Sequence, residues 1–287
     1  MIQPVKRCCS LLLSVLALGI GSITVAAAQA GGTPVATVSA IPLVRAHAHN
    51  DYAHERPLLD ALECGFCSIE ADVFLVEGQL LVAHNRLQTS PQRTLPVLYL
   101  EPLRQRARHN GGRLYPGGPV CLLFIDLKTE AESTYAVLHR LLENYDDLVT
   151  RFDSNRVVTN AVTVVITGNR PRSTMAAQSP RYAACDGLLP DLASGVAADF
   201  VPVISEQWSQ HFKWRGTGPL PDGEAIRLKG IVAQAHGQGR RVRFWGAPDQ
   251  SEAWRVLYAA GADLLNTDNL TGLRDFLRSK AGTPPMP

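Results

Sequence analysis

The sequence predicts an α/β protein, a single (β/α)8 barrel of the TIM type with its functional site at the carboxyl ends of the strands. Short apolar runs alternate with amphipathic helical segments along most of the 287 residues, as parallel strands joined by helices require. About eight such runs occur, the number that closes this barrel. Polar residues also end several runs, where barrel sites lie: His47, Glu70 with Asp72, Asp126 with Lys128, Arg170, Trp245 and Asp268.

The first half of the chain alternates strands and helices. Pro57 opens a helix at the position where proline is tolerated, and Gly65 ends it. Glu77-Gly78 is a turn signal that folds the second strand back onto the next segment. A further helix is predicted at residues 97–108. The predicted strands cover residues 42–48, 66–76, 79–84 and 120–125.

The second half repeats the pattern with shorter strands. Residues 120–125 form a continuous apolar run, which is typical of a strand buried on both faces. The helices that follow are predicted at residues 131–143, 223–238, 251–260 and 270–280. The strands between them are predicted at residues 161–167, 187–189, 200–204, 241–245 and 262–266.

The N-terminal segment is predicted to lie outside the barrel. Lys6 and Arg7 precede an apolar run, and small residues follow it up to Ala30. This order is typical of a secretory signal peptide. The sequence therefore predicts a signal peptide at residues 1–30, a mature barrel domain at residues 31–287, and a secreted or periplasmic protein. An uncleaved membrane anchor is the alternative, although the apolar run is short for a membrane span.

Charge and cysteine content argue against several classes of protein. The net charge of +2 falls to zero when residues 1–30 are removed, so no basic excess favours nucleic acid or an anionic membrane surface. The spacing of Cys64 and Cys67 suits a redox or zinc pair, but no second pair exists, which favours small buried residues. Too few cysteines remain for a disulfide scaffold in a chain of this length: Cys64, Cys67, Cys121 and Cys185.

The first two strands and the hairpin after them contain the first half of the predicted site. Side chains alternate between the faces of a strand, so His47 and His49 share a face at the end of the first strand. Glu70 and Asp72 share a face in the same way. Two carboxylates at this spacing form a site for a hard divalent cation, and histidines beside it can transfer protons. His84 follows Asp72 by twelve residues and supplies a second histidine.

This pattern resembles the PLC-like phosphodiesterase superfamily, which includes glycerophosphodiester phosphodiesterases and sphingomyelinase D-type phospholipases. The shared features are a histidine ending strand one, Glu-x-Asp on strand two, a later histidine, and an acid-x-Lys after strand three. Arg243-Phe244-Trp245 and the closing Thr267-Asp268 are similar as well. The opening His-x-His-Asn-Asp-Tyr is most similar to the subgroup related to altered inheritance of mitochondria protein 6.

The resemblance implies a metal-dependent phosphoric diester hydrolase with a two-histidine acid/base mechanism. One divalent cation, Mg²⁺ or Ca²⁺, would be held by Glu70, Asp72 and Asp126. His47 and His84 would be the catalytic base and acid. The implied substrate is a small or lipid-derived phosphodiester, with transient contact to membrane lipid and none to nucleic acid. The implied substrate-binding residues are His49, Asn50, Lys128, Arg170 and Trp245.

Two departures from the superfamily pattern affect the expected substrate. Asp126 stands where the superfamily usually has glutamate, and no Arg-Gly follows the first histidine, so the resemblance does not fix a glycerophosphodiester as the substrate.

The spacing His-x-x-Asn fits His47 with Asn50, which favours His47 over His49 as the base. His49 is then expected to bind or orient the substrate.

Two other functions are compatible with parts of the pattern. His-x-His after strand one also opens zinc amidohydrolase-type barrels, which need further histidines at later strand ends. Here those ends carry Arg170, Trp245 and Asp268 instead. The other alternative is a barrel that binds a phosphorylated ligand without turnover, and it predicts metal-independent binding without product. The complete acid/base set favours the hydrolase.

Overall fold

Eight parallel strands form a nearly closed barrel in residues 40–281, the part of the chain that this computed structural model describes. The predicted signal peptide at residues 1–30 lies outside the described residues. The strands are β1 (Leu43–Ala48), β2 (Phe66–Val76), β3 (Gln79–Val82), β4 (Cys121–Leu127), β5 (Arg151–Asp153), β6 (Arg156–Val158), β7 (Val162–Gly168), β8 (Ala184–Gly187), β9 (Val203–Gln207), β10 (Arg241–Trp245) and β11 (Leu265–Thr267).

Helices connect the barrel strands and cover the outside of the barrel. Within the described residues they are α1 (Leu59–Cys64), α2 (Glu101–His109), α3 (Ala131–Glu143), α4 (Arg172–Ala177), α5 (Trp208–His211), α6 (Asp222–His236), α7 (Ser251–Ala260) and α8 (Leu270–Ala281). In α3, Tyr135, Leu138 and Leu142 are buried because this spacing aligns them on one face toward the strands. None of these helices is both long and apolar enough to span a membrane.

The order of the strands around the barrel is β10, β9, β8, β7, β4, β2, β1, β11. A parallel bridge between Arg243 and Leu264 brings β10 against the segment entering β11 and nearly closes the ring. β3 pairs with β2 in antiparallel orientation outside the ring, and β5 with β6 forms a separate hairpin. The predicted (β/α)8 barrel is confirmed.

Strand register places the predicted carboxylates side by side. Asp72 on β2 is the Cα partner of Asp126 on β4, and Asp126 is the partner of Thr167 on β7. Neighbouring strands lie about 4.8 Å apart, so residues in register project together at the same level of the barrel. Parallel pairing of the strands therefore brings together Asp72, Asp126 and Thr167, which are far apart in the sequence.

Two strands lie about three residues from their predicted positions. Residues 187–189 were expected to form a strand, but β8 ends at Gly187, and a 3-10 turn occupies Leu189–Ala193. Residues 200–204 were also expected to form a strand, but β9 begins at Val203. Pro202 precedes it, and proline has no N–H for a ladder hydrogen bond. In both cases an apolar run extended beyond the part that is paired.

The remaining differences concern short segments. The hairpin β5–β6 and the helix α4 were not predicted, because three to six residues are too few to show a period. The helix expected at residues 97–108 is a π-helical turn at Pro96–Leu100 that continues into α2. The four cysteines of the described residues are buried free thiols, and the predicted burial of Cys64 and Cys67 is confirmed.

Candidate active site

A cavity of about 380 Å³ opens at the carboxyl ends of the barrel strands. Of the residues predicted to act in catalysis or to bind metal or substrate, all but His47 line its wall, and Asp268 also lies outside it. The wall also contains residues that were not predicted, on β7 to β10. The lining residues are His49, Asn50, Glu70, Asp72, His84, Asp126, Lys128, Thr167, Gly168, Arg170, Asp186, Leu188, Ser205, Arg243 and Trp245.

Three carboxylates form an acidic cluster on one side of the cavity. Glu70, Asp72 and Asp126 each contribute an oxygen, and these oxygens lie within 4.8 Å of one another. Asp72 Oδ1 is buried and has no hydrogen-bond partner among the described residues, which is costly for a polar atom. Carboxylate oxygens at this spacing are the ligands that Mg²⁺ and Ca²⁺ prefer. The donor set therefore fits the predicted divalent cation.

The acidic cluster is only partly neutralised by a lysine. Lys128 Nζ lies 3.1 Å from Asp72 Oδ2 and 3.0 Å from Asp126 Oδ2. Burial raises the pKa of Asp72 to about 6 against the opposing effect of Lys128, and the neighbouring carboxylates add to the rise. Burial also raises the pKa of Asp126. Additional positive charge at the cluster would favour the ionised forms of both.

A glycine makes room for the carboxylate of Asp126. Gly168 at the end of β7 has φ +69°, and a Cβ added there would lie 2.1 Å from Asp126 Oδ1. Any other residue would displace that carboxylate. Both the backbone conformation and the available space therefore require glycine at this position.

His47 lies beneath the cavity floor in a buried network. It is fully buried, with Nδ1 2.7 Å from Ser68 Oγ and Nε2 2.6 Å from Arg243 Nη1. Arginine can only donate, so Nε2 accepts and Nδ1 carries the proton. Burial, reinforced by the charge of Arg243, lowers the pKa of His47 to about 4. A neutral imidazole with both nitrogens engaged holds its neighbours in position and has no open face toward the cavity.

Arg243 is the centre of this network. Its Nη1 donates to Glu70 Oε2, its Nε donates to Ser205 Oγ at 3.2 Å, and its Nη2 lies 3.9 Å from Asp186 Oδ2. Burial alone would raise the pKa of Glu70, but the charge of Arg243 outweighs it and keeps that pKa well below its usual range. Glu70 is therefore ionised across the physiological pH range.

Sequence reasoning did not identify Arg243, Asp186, Ser205 or Thr167 as site residues. Arg243 had a usable signal, because it is two residues from Trp245 on one strand and so shares a face with it. Asp186 and Ser205 lie on short strands whose positions were misjudged by about three residues. Neither residue was included among the polar residues expected at strand ends.

His49 follows β1 and faces the cavity. Its Nδ1 lies 2.8 Å from Asp268 Oδ1, and its Nε2 is 4.0 Å from Glu70 Oε1. An ionised carboxylate only accepts hydrogen bonds, so Nδ1 carries the proton and the lone pair of Nε2 is free. Burial lowers the pKa of His49, but Asp268 and Glu70 outweigh it, and the pKa is raised overall. Asn50 Nδ2 also contacts Asp268 at 3.4 Å.

His84 is exposed beyond β3 and is linked to the acidic cluster by a tyrosine. The hydroxyl of Tyr52 donates to Asp72 Oδ2 at 2.7 Å and lies 3.1 Å from His84 Nδ1. Burial and the charge of Asp72 raise the pKa of Tyr52, so the phenol keeps its proton. Its oxygen can therefore accept from His84 Nδ1, which leaves His84 Nε2 available. Tyr52 was not predicted as a site residue.

The two remaining predicted residues line the far wall of the cavity. Arg170 donates from Nη1 to the carbonyl oxygen of Asp186 at 3.0 Å, which fixes one edge of its guanidinium. Trp245 at the end of β10 is 38% exposed at the rim. One cation and one aromatic surface therefore face the acidic cluster across the cavity.

Comparisons with known proteins identify related families. A model of the AIM6-like phosphodiesterase domain matches residues 36–112, and one of the glycerophosphoryl diester phosphodiesterase family matches residues 241–271. Altered inheritance of mitochondria protein 6 from Eremothecium gossypii is 33% identical over 270 residues, covering 82% of this chain and 69% of the relative. The homolog from Arthroderma benhamiae is 28% identical over 273 residues, covering 85% of this chain and 87% of the relative.

Solved structures share the fold. A glycerophosphodiester phosphodiesterase from Parabacteroides distasonis has a TM-score of 0.51 at 13% identity, over 83% of this chain and 98% of that chain. Fold, cavity and family matches together define a barrel of the glycerophosphodiester phosphodiesterase-like superfamily. Within that superfamily, the chain belongs to the altered inheritance of mitochondria protein 6 family.

The relatives correct the predicted localisation. A secreted or periplasmic protein was expected, whereas the relatives from Eremothecium gossypii and Saccharomyces cerevisiae are named for altered inheritance of mitochondria. That name connects them with mitochondria and not with export, so the prediction is wrong. A basic start followed by a short apolar run is a generic targeting pattern and does not by itself specify the destination.

Proposed function

We propose that the protein hydrolyses phosphoric diesters at this cavity with the help of one divalent cation. The acidic cluster beside His49 is the observation that carries the proposal. It combines three carboxylate oxygens within 4.8 Å of one another with a histidine whose Nδ1 is held by Asp268. Such a combination suits a reaction in which negative charge develops on phosphate oxygens while protons move.

The histidine roles in this proposal differ from those expected from the sequence. His49 replaces His47 as the general base, because a base must be within reach of the proton that it removes. His49 Nε2 faces the cavity with a free lone pair, whereas His47 is buried beneath it. His84, on the loop after β3, is the general acid for the departing alcohol.

The remaining charged side chains would bind the cation or supply positive charge to the phosphate. Glu70, Asp72 and Asp126 would hold the cation, which when bound supplies positive charge to the non-bridging oxygens of the phosphate. Lys128 and Arg170 supply further positive charge from the cavity wall. Tyr52 keeps Asp72 and His84 in a fixed relation through its hydroxyl.

Turnover of a phosphodiester panel tests the proposal. The purified protein should release phosphomonoesters detectable by ³¹P NMR, lose activity in EDTA, and recover it with Mg²⁺ or Ca²⁺. Asp126→Asn should fold normally and lose most of its activity, because it removes one charged ligand. Glu132→Gln, an exposed acid on α3, is the control. Full activity in EDTA would remove the cation from the mechanism.

The two alternative functions have less support. A zinc amidohydrolase-type site needs histidines from several strand ends, and the histidines lining this cavity are His49 and His84. Neither belongs to the acidic cluster found within residues 40–281. A barrel that only binds a phosphorylated ligand does not need the pairing of His49 with Asp268.

A further inference from the structure

A small cavity of about 260 Å³ opens at the amino-terminal mouth of the barrel. Its wall includes Leu122 and Thr163, which are the second residues of β4 and β7. It also includes Val203 and Arg241, which are the first residues of β9 and β10. The cavity therefore lies at the opposite end of the strands from the active-site cavity.

An apolar cluster inside the barrel separates the amino-terminal cavity from the active site. Leu122 and Val203 are buried and belong to this cluster together with Phe124. The ring of Phe124 packs against the ring of His47, with 5.0 Å between the two centroids, and His47 lies beneath the active-site cavity. The floor of the amino-terminal cavity is therefore apolar, and a ligand bound there would not touch the acidic cluster.

Arg241 is a cation without a partner at the amino-terminal cavity. Side chains alternate along a strand, so Arg241 faces the barrel interior on the same side as Arg243. Arg243 is surrounded by Glu70 and Asp186. The guanidinium of Arg241, in contrast, has neither a hydrogen bond nor an ion pair among residues 40–281. No carboxylate lines this cavity, so its only charged group is positive.

We propose that the amino-terminal cavity binds a short alkyl carboxylate, with the carboxylate on Arg241 and the chain against Leu122 and Val203. A guanidinium binds a carboxylate through two parallel hydrogen bonds, and Thr159 adds a hydroxyl donor to the cavity wall. One guanidinium balances one negative charge, which suits a carboxylate better than a doubly charged phosphate monoester. Removal of the alkyl chain from water supplies the remaining affinity.

The volume of the cavity limits the length of the alkyl chain. A water molecule occupies about 30 Å³ in the liquid, so a cavity of 260 Å³ holds about eight atoms of similar size. Hexanoate has about that number of non-hydrogen atoms. Each buried methylene strengthens binding by up to about fourfold. Hexanoate should therefore bind up to about fifteenfold more tightly than butyrate, and decanoate should gain little beyond hexanoate.

Binding of hexanoate to the whole chain tests this proposal without any measurement of turnover. Isothermal titration calorimetry should give a dissociation constant in the millimolar range or tighter. Hexan-1-ol carries no charge and should bind about tenfold more weakly than hexanoate. In ¹³C-methyl NMR spectra, the methyl signals of Leu122 and Val203 should shift as hexanoate is added, because the chain contacts these residues.

Matched arginine variants examine the charge of the cavity. Arg241→Gln changes an exposed side chain, so the variant should fold normally. It should weaken hexanoate binding about tenfold or more and leave hexan-1-ol binding nearly unchanged. Arg227→Gln makes the same chemical change at an exposed arginine on α6, outside the cavity. Its affinity for hexanoate should equal that of the wild type.

Several results would overturn the assignment of this cavity. They are an absence of hexanoate binding, an unchanged hexanoate affinity in Arg241→Gln, or methyl signals of Leu122 and Val203 that do not shift. An affinity that keeps rising from hexanoate to decanoate would also overturn it, because adsorption to exposed apolar surface has no such limit. The proposal is independent of the proposed function, since a protein that binds hexanoate and cleaves no phosphodiester would retain the one and lose the other.

Discussion

Two histidines separated by one alanine have opposite environments. His47 lies within β1 at the level of Ser68 and Arg243, where burial lowers its pKa to about 4. His49 lies just beyond the strand, where Asp268 and Glu70 outweigh burial and raise its pKa. Alternation along the strand correctly predicts that both side chains approach Glu70. Alternation does not predict how deeply each histidine is buried in the barrel, because that depends on where the strand ends.

This difference predicts distinct variant phenotypes. His49→Ala should lower kcat by about 10²–10⁴-fold, because it removes a positioned base, and should leave the thermal unfolding midpoint nearly unchanged. His47→Ala should lower the unfolding midpoint, because it removes the buried partner of Ser68 Oγ and one of the buried acceptors of Arg243. Steady-state kinetics and calorimetry measure the two effects.

His109→Ala, at an exposed position on α2, serves as the control and should match the wild type in both measurements. A stable His47→Ala protein without activity, together with an active His49→Ala protein, would reverse the assignment. The proposed phosphodiesterase reaction itself would remain, with His47 instead of His49 as the base.

A buried aspartate predicts that stability depends on pH. Asp51 Oδ2 accepts from the amide of Leu58 at 2.6 Å and the hydroxyl of Tyr99 at 2.8 Å, while Oδ1 has no partner among the described residues. Burial raises the pKa of Asp51 to about 7. Between about pH 4 and 7, the folded state therefore keeps a proton that the unfolded state has lost.

The free energy of unfolding should consequently fall as pH rises through this interval, by up to about 4 kcal/mol from Asp51 alone. Asp51→Asn stays neutral and keeps the acceptor, so it should lack this fall and be more stable than the wild type at pH 8. Urea unfolding at pH 5 and pH 8 measures the difference. Glu55→Gln, an exposed neighbour, should retain the wild-type dependence, and a flat wild-type profile would contradict the argument.

At the scale of elements, the turn after β7 sets the position of the acidic cluster. Gly168→Ala should lower activity at least tenfold, because the new Cβ would meet Asp126 Oδ1 at 2.1 Å and displace a proposed ligand. Gly195→Ala is a matched control. Gly195 has φ +72°, close to the φ +69° of Gly168, but has nothing within 4 Å of its added Cβ.

Both alanine variants should lose about 1–2 kcal/mol of stability from the left-handed backbone, and only Gly168→Ala should need more Mg²⁺ for half-maximal activity. Titration of activity with Mg²⁺ compares them. Equal Mg²⁺ requirements in the two variants would show that the carboxylate of Asp126 tolerates the added methyl group.

Long elements with a clear period were predicted from the sequence, and short ones were not. Helices such as α3 and α7 begin and end where expected, because their apolar spacing persists over several turns. β8 has four residues, and its limits depend on pairing with β7 and β9. The same limitation applies to the site, because Asp186 and Ser205 become site residues only through the barrel register.

At the scale of the whole molecule, Arg243 connects strands around the barrel. From β10 it contacts His47 on β1, Glu70 on β2 and Ser205 on β9, and its guanidinium lies 4.6 Å from the ring centroid of Phe124 on β4. A buried charge of this kind is costly to leave unpaired. The barrel interior is therefore held together by one cation as well as by apolar packing.

Arg243→Met should lower the free energy of unfolding by about 3–5 kcal/mol, because it leaves Glu70 as an uncompensated buried charge. The double variant Arg243→Met with Glu70→Gln should recover part of that loss. Urea unfolding of the single and double variants measures the coupling between the two positions. Additive losses would show that the two side chains act independently.

The pairing of His49 with Asp268 joins residues 219 positions apart, one after the first barrel strand and one after the last. During synthesis on the ribosome, His49 is translated early. Asp268, the carboxylate that pairs with it, is added only when almost the whole domain has been translated. A chain that stalls or is cut before residue 268 carries all three carboxylates of the acidic cluster but lacks the group that orients its base. Under the proposed mechanism, such an unfinished chain is therefore expected to be inactive toward phosphodiesters.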